Sequence, residues 1–219
     1  MALAALATVP LEHNLQASLA NTGVDVNSGG QDLNWTVSSP YYTGPAAYLA
    51  APANAWPFST GGGPWVADDN TSSWITYSTP LDMNAPATTY TYRETFTLAS
   101  AETLAFRFLS DNESTVFLLQ GAQQTQIGQN GPAYDTSTFS MWSPYQTLNL
   151  GSGTYGFEVQ VVNDPWSGAN PTGFRFEEYQ VVSPVPEPTS IVAGALMLIP
   201  LGLGFLRAIR KDGAALKLN

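Results

Sequence analysis

The chain of 219 residues contains no cysteine and one histidine, His13. Without cysteine there is no disulfide framework, thiolate zinc site or cysteine nucleophile. A single histidine cannot supply the three or four nitrogen or sulfur ligands of a typical zinc site, and no lysine precedes Lys211 to act as its partner in catalysis. Histidine-based catalysis is therefore disfavoured, and carboxylates are the titratable groups that remain.

Positive charge is also scarce. The chain has 17 Asp and Glu against 7 Lys and Arg, and only Arg93, Arg107 and Arg175 lie before residue 207. The body is therefore more acidic than the net charge of −10 indicates. Such a surface repels phosphate backbones, which argues against nucleic acid as a partner.

The C-terminal region carries three signals in a fixed order. They are a Pro-rich segment 183–190 that contains Pro186, Glu187 and Pro188, an apolar run over 191–206, and a tail 207–219 that contains Arg207, Arg210 and Lys211. The run is slightly shorter than the roughly 20 residues of an ideal span, but it is sufficient for a marginal transmembrane helix. Because basic residues stay on the cytoplasmic side, everything before the run is predicted to face outward.

This arrangement resembles the PEP-CTERM sorting signal of bacterial surface proteins. The resemblance covers about the last thirty residues of the chain. It implies recognition and processing by a membrane-embedded exosortase, with Pro186, Glu187 and Pro188 as the recognition tripeptide and 191–206 as the membrane segment. The expected location is the inner membrane transiently, and then the cell surface or the extracellular matrix.

Two simpler interpretations of the tail stay open, namely an uncleaved membrane anchor and a buried helix of a soluble domain. Residues 212–219 continue beyond the basic cluster, where such tails often stop. At the other end, residues 1–20 have the small residues of a signal-peptide cleavage region but no basic start or full apolar stretch. They are interpreted either as the remnant of a signal peptide or as a frayed terminus.

The body, residues 21–182, is predicted to be one antiparallel β-sandwich. Short runs with period-two alternation recur between turn signals, and in the run 90–98 the residues Tyr92, Glu94, Phe96 and Leu98 share one face. The predicted strands are 73–77, 90–98, 103–110, 114–120, 145–150, 154–162 and 173–182. At least seven such strands favour two sheets packed over a shared aromatic core. The region before residue 65 is expected to add one or two edge strands and long loops.

The order of the segments 70–75, 90–98, 104–112, 116–121 and 148–163 resembles a galactose-binding-like jelly roll. This resemblance is diffuse and covers about residues 65–180. It implies a jelly-roll-like sandwich, and the expected location in an extracellular matrix makes a polysaccharide the candidate partner.

Exposed tryptophans are the best candidates for a carbohydrate site, because flat aromatic rings stack on the apolar faces of sugars. Trp65 follows three glycines and a proline, and Trp166 lies in a polar loop, so both are predicted glycan-binding residues. Trp74 lies in a predicted strand and is expected in the core. Calcium is the one cofactor that the sequence suggests. The oxygen-rich segments 68–70 and 111–113 suit a calcium ion, but they suit simple Asx turns as well.

The sequence thus predicts an exported, non-enzymatic structural or carbohydrate-binding β-sandwich. The alternative is a secreted carbohydrate-active hydrolase that uses a pair of carboxylates 5 to 9.5 Å apart (about the range for glycosidases). The candidate carboxylates are Glu94, Glu102, Asp111, Glu113, Glu158, Glu177 and Glu178.

Overall fold

The computed structural model describes residues 19–27, 30–42, 48–49, 55–78, 80–131 and 137–180. The N-terminal residues 1–18, the Pro-rich segment, the predicted membrane segment 191–206 and the basic tail lie outside this part of the chain. Within it, no helix has both the length and the apolar character needed to cross a membrane.

Ten strands lie in the described residues. They are β1 (Thr36–Ser38), β2 (Tyr48–Leu49), β3 (Ile75–Thr76), β4 (Thr89–Leu98), β5 (Glu102–Asp111), β6 (Ser114–Gln120), β7 (Gln123–Asn130), β8 (Gln146–Leu150), β9 (Gly153–Val162) and β10 (Gly173–Gln180). One short 3₁₀ helix spans Ser59–Gly61.

The strands form two five-stranded sheets. The first has the order β1-β4-β9-β6-β7 and the second has the order β2-β3-β10-β5-β8. The pairs between neighbouring strands are antiparallel. The prediction of an all-β fold built from antiparallel sheets is therefore confirmed for the described residues.

Alternation along β4 shows why these residues form a two-faced strand. Tyr92, Glu94, Phe96 and Leu98 are buried, while the intervening residues are mostly exposed. Each inward side chain thus reaches the core and each outward one reaches water, as the period of two requires. β4 pairs with β9 over ten residues, from Thr89 opposite Val162 to Leu98 opposite Gly153.

Aromatic rings from the two sheets meet in the core. Phe157 of β9 packs edge-on against Phe106 of β5, with ring centroids 5.0 Å apart. Tyr92 of β4 lies 5.3 Å from Phe174 of β10, and Trp35 lies 5.4 Å from the same ring. Because these contacts join opposite sheets, the sheets pack face to face over a shared aromatic core.

A second cluster covers the outer side of β5 and β10. It consists of the buried residues Phe58, Trp65, Trp74, Leu81 and Leu109. The loops on either side of β3 supply four of these five residues, and Phe139 and Trp142 from the loop before β8 pack against them, so the sheet is buried on both faces here. These loops also build one end of the sandwich, where the candidate site lies.

Arg175 of β10 anchors the loop before β3. Its side chain is fully buried, and its guanidinium donates to the hydroxyl of Ser72 and the carbonyl of Ala67 and contacts the carboxylate of Asp69. The Trp142 ring lies over this guanidinium at 4.9 Å. The buried charge is thus paired and hydrogen-bonded, as a charge inside a protein must be.

Candidate functional site

A cleft lies where β5 ends at Asp111 and β10 begins at Gly173. Its volume is about 210 Å³. Its walls come from the loops 56–65 and 164–171 and from the end of β5, and the lining residues are Trp56, Pro57, Pro64, Trp65, Asp111, Asn112, Phe139, Asp164, Pro165, Trp166, Ala169, Asn170 and Pro171. The peptide bonds Trp56–Pro57 and Asp111–Asn112 are cis.

The loop that follows β9 is held at both of its ends. Asn163 donates its side-chain amide to the carbonyls of Ala85 and Pro86, at 3.0 and 3.2 Å. Asn170 donates its backbone N–H to the carbonyl of Met83 and its side-chain amide to the carbonyl of Asp164. The loop is therefore preorganised at its base, which lowers the ordering cost of binding a ligand there.

This loop presents Trp166 to solvent. The Trp166 side chain is 73% exposed, and its indole lies against Gly168, where an added Cβ would come within 3.0 Å of the indole nitrogen. A second depression of about 190 Å³ also borders Trp166, beside Asn84 and Ala87. Trp166 thus forms a ridge between two adjoining depressions.

Trp56 lines the same cleft and is 40% exposed. Trp56 was not among the glycan-binding residues predicted from the sequence, although it lies in a loop between Ala55 and Pro57, as Trp65 and Trp166 also lie in loops. The cleft therefore has two partly open indoles, Trp56 and Trp166, which both lie on loops.

The prediction of an exposed Trp65 is wrong, because this residue has an exposed fraction of 0%. Its ring stacks on Trp74 with centroids 4.2 Å apart, and it packs edge-on against Phe58. Gly61 and Gly63 lie so close to the backbone of Ala55 and Pro57 that an added Cβ would clash, so the loop before Trp65 folds tightly on itself. Trp65 therefore borders the cleft as part of its packed floor. The prediction that Trp74 lies in the core is confirmed.

Asp111 connects this floor to the cleft. Its carboxylate accepts a hydrogen bond of 2.8 Å from the indole nitrogen of Trp65, and its carbonyl accepts one of 2.7 Å from the Thr172 hydroxyl. Burial is the main cause that raises the pKa of Asp111 to about 7, and the charge of Asp164 adds to it. The Trp65 hydrogen bond acts in the opposite direction, because it stabilises the ionised form.

Two amide side chains complete the polar part of the cleft. The Asn112 oxygen accepts a hydrogen bond of 2.9 Å from the backbone N–H of Asp164. The nitrogen of the Asn112 amide and the oxygen of the Asn170 amide make no hydrogen bond with the described residues. One donor and one acceptor therefore remain for a ligand beside the two indoles.

The remaining candidate carboxylates lie elsewhere. Glu158 accepts from Arg93, Gln124 and Gln160 on the outer face of the first sheet. Glu177 pairs with Arg107 through a contact of 2.6 Å. Among the candidates named from the sequence, Asp111 alone lines the cleft, and Asp164, which was not among them, lines it as well.

Backbone hydrogen bonds occupy one of the two segments considered for calcium, 68–70. Asp68 accepts from the backbone of Trp74, and Asp69 accepts from the backbone N–H groups of Thr71 and Ser72, so the Asx-turn interpretation is confirmed for the segment 68–70. Within the described residues, no three or more Asp, Glu or His side chains are grouped to hold a metal ion. Calcium stays a prediction.

The predicted sorting residues are Pro186, Glu187, Pro188, Arg207, Arg210 and Lys211. All six lie outside the described residues.

Comparisons with known proteins give only distant likenesses. No family model and no curated protein matches the chain. Among solved structures, a β-glucosidase from Kluyveromyces marxianus is similar at 15% identity and a TM-score of 0.37, over 78% of this chain and 19% of that chain. A cycloisomaltooligosaccharide glucanotransferase from Paenibacillus sp., complexed with cycloisomaltoheptaose, is similar at 18% identity and a TM-score of 0.24, over 48% of this chain and 14% of that one. The chain therefore spans about a fifth or less of the length of these proteins.

Proposed function

We propose that the protein is an exported, exosortase-sorted component of the cell surface or extracellular matrix, and that its jelly-roll-like sandwich binds carbohydrate without catalysis. The observation that carries the binding proposal is the Trp166 ridge, a largely exposed indole on an anchored loop between two depressions. The sorting proposal rests on the tripeptide 186–188 and the apolar run and basic cluster that follow it.

A sugar ring suits the chemistry of the cleft. The indoles of Trp56 and Trp166 provide apolar faces for the C–H face of a pyranose. The free donor of Asn112 and the free acceptor of Asn170 can then bind ring hydroxyls, which carry both functions. A small number of placed polar groups on a mainly apolar wall is the usual composition of a specific small-molecule site.

The charge of the site favours neutral sugars. Asp111 and Asp164 line the cleft, and none of its lining residues is a cation. A uronate or sulfated sugar would bring a second negative charge into a partly desolvated site, which is unfavourable. The ligand is therefore an uncharged glycan of at least two units, since two depressions adjoin Trp166.

Binding is tested with the full chain in a neutral detergent, against a panel of neutral and acidic oligosaccharides, by isothermal titration calorimetry. Trp166→Ala should weaken binding about tenfold, which corresponds to the loss of one stacking contact. The matched control is Tyr179→Ala, because Tyr179 is also an exposed aromatic residue, at 63%, but lies outside the cleft. Equal affinities of the two variants, or a preference for acidic sugars, would refute the assignment.

The alternative function is hydrolysis of a glycosidic bond at the same cleft. It is favoured by one observation, namely that Asp111 has a pKa of about 7 and lies within electrostatic range of Asp164, as a general acid beside a second carboxylate would. Turnover of a bound oligosaccharide that is lost in Asp111→Asn would establish hydrolysis. Retention of intact sugar by the wild-type protein supports binding alone.

A further inference from the structure

Strand β7 is the longest free edge of the described sheets. It has eight residues, whereas the other edge strands β1, β2 and β8 have three, two and five. β7 pairs with β6 on one side, and no described strand pairs with its other side. Alternate backbone N–H and C=O groups along this side therefore point away from the sheet.

This edge lacks two of the usual protections against strand pairing, namely charge and proline. Soluble proteins protect edge strands with charged residues or proline. Here no charged residue occurs between Glu113 and Asp135, and β7 itself contains no proline. Its first four residues, Gln123–Gln126, are all exposed. The edge is thus open both sterically and electrostatically.

A bulge limits the length of the open edge. Val116 pairs with Gly128 and Phe117 pairs with Gln126, so Ile127 is the extra residue on β7. Beyond the bulge, Gly128 lies against the Phe108 ring of the opposite sheet. A Cβ added to Gly128 would lie 3.4 Å from that ring. The regular and accessible stretch is therefore 123–126, before the bulge.

We propose that this stretch pairs with the same stretch of a second copy of the chain, antiparallel and about a two-fold axis. An antiparallel ladder of identical strands is self-complementary, because each N–H of one copy faces a C=O of the other. Glutamine and threonine side chains each carry a donor and an acceptor, so they also find partners in an identical strand. The result is one ten-stranded sheet across two sandwiches, and the two-fold symmetry closes it as a dimer.

Charge does not oppose the meeting of two copies at this edge. The net charge of −10 makes two chains repel each other over most of their surface. The hairpin of β6 and β7 adds no repulsion of its own, because it has no charged residue. The other edge strands β1, β2 and β8 also lie in uncharged stretches, 33–67 and 136–157, but they are shorter. Salt screens the remaining repulsion, so the dimer should strengthen as ionic strength rises. An interface built on ion pairs would weaken instead.

This inference goes beyond the proposed carbohydrate site and does not depend on it. It is tested on the full chain in neutral detergent. Protein concentrations extend up to on the order of 1 mM, so that a weak dimer can be detected. Gln126→Glu places a charge on the open edge, which is a usual protection against strand pairing, and should weaken dimerisation about fivefold in analytical ultracentrifugation. The matched control Thr95→Glu adds the same charge to an exposed position on the central strand β4, and should leave the dimer unchanged.

Spin labels locate the contact. Because the chain has no cysteine, Thr125→Cys and Thr95→Cys each provide one labelling site. Pairing within 123–126 places the two Thr125 Cα atoms within about 12 Å, and puts seven strand spacings, about 34 Å, between the two Thr95 positions. Association through the tails would give neither separation and would not respond to Gln126→Glu. That result, a monomer at all concentrations, or capture of a different strand at β7 would overturn the proposal.

Discussion

Glu94 is a carboxyl group inside the sandwich. It lies on the inward face of β4 between Tyr92 and Phe96, and one of its oxygens accepts a 2.8 Å hydrogen bond from the backbone N–H of Ala20. The other oxygen is buried without a partner. Burial is the main cause that raises the pKa of Glu94 from 4.5 to about 8, and the nearby acids Asp32 and Glu178 raise it further.

This pKa predicts that Glu94→Gln stabilises the protein at alkaline pH. Below pH 4.5 the carboxyl is protonated in both the folded and the unfolded state, so it contributes no pH-dependent term. Between pH 4.5 and about 8 only the unfolded state ionises, so the wild type loses stability as pH rises. The variant removes this loss and should be more stable by roughly 2–4 kcal/mol above pH 8.

Urea unfolding of wild type and variant at acidic and alkaline pH measures the effect. The difference in the free energy of unfolding should be near zero at the acidic end and grow as pH rises. A difference that does not change with pH would contradict the raised pKa.

The buried cation of Arg175 leads to a second prediction about the free energy of unfolding. Replacing it by Met leaves Asp69 and Glu177 without their buried cation and should cost about 3–5 kcal/mol in the free energy of unfolding. Arg93→Met is the control, since Arg93 also pairs with a glutamate but is 57% exposed, and it should cost at most about 1 kcal/mol. Thermal and denaturant unfolding of both variants compare the two, and equal losses would show that burial does not set the cost.

The candidate site was only partly predictable from single residues. Trp166 was correctly expected to be exposed, because a polar loop around an aromatic residue leaves it few apolar neighbours. Trp65 lies in similar local sequence but is buried, because Trp74 and Phe58 come from segments whose approach no local pattern reveals. Asn112 and Asn170 are brought together by the ends of β5 and β10, which depends on sheet topology.

Strands with strong alternation were predictable almost to the residue. The predicted strand 114–120 coincides with β6, and the predictions for β4, β5 and β9 differ by one residue at one or both ends. β7 was missed because its sequence, rich in glutamine and without β-branched residues apart from Thr125 and Ile127, has low strand propensity. It forms a strand through its hairpin with β6, which is a tertiary effect.

Gly173 begins β10 at a place where two elements come very close. A Cβ at this position would lie 2.8 Å from the Trp65 ring and 3.2 Å from the Trp74 ring. Gly173→Ala should therefore push apart two stacked and fully buried indoles, at a cost of about 1–3 kcal/mol.

Gly151→Ala is the matched control for this variant. Gly151 lies between β8 and β9, and its added Cβ would meet only the Tyr155 hydroxyl, at 4.0 Å. It should change the free energy of unfolding little. Denaturant unfolding with tryptophan fluorescence reports both stability and the environment of the indoles. An unchanged midpoint for Gly173→Ala would mean that the loops move aside without cost.

At the scale of the whole molecule, the chain combines an acidic sandwich with a C-terminal region that holds most of its cations. Four of its seven Lys and Arg follow residue 206. Under the proposed sorting mechanism this separation has a physical consequence. The basic end stays on the cytoplasmic side while the acidic body crosses, and removal of residues 191–219 leaves a more acidic product at the surface.

The proposed sorting predicts a shortened mature protein. In a bacterial host with an exosortase, intact mass measurement of the surface fraction should find the chain without the peptide 191–206. Glu187→Ala removes the only charge between the two prolines of the tripeptide, and should leave the full-length chain in the membrane fraction. Pro184→Ala, two residues before the tripeptide, is the control and should be processed normally, because the flanking Pro186 and Pro188 still hold the segment extended. Recovery of the wild-type chain with its tail intact would instead identify a permanent membrane anchor.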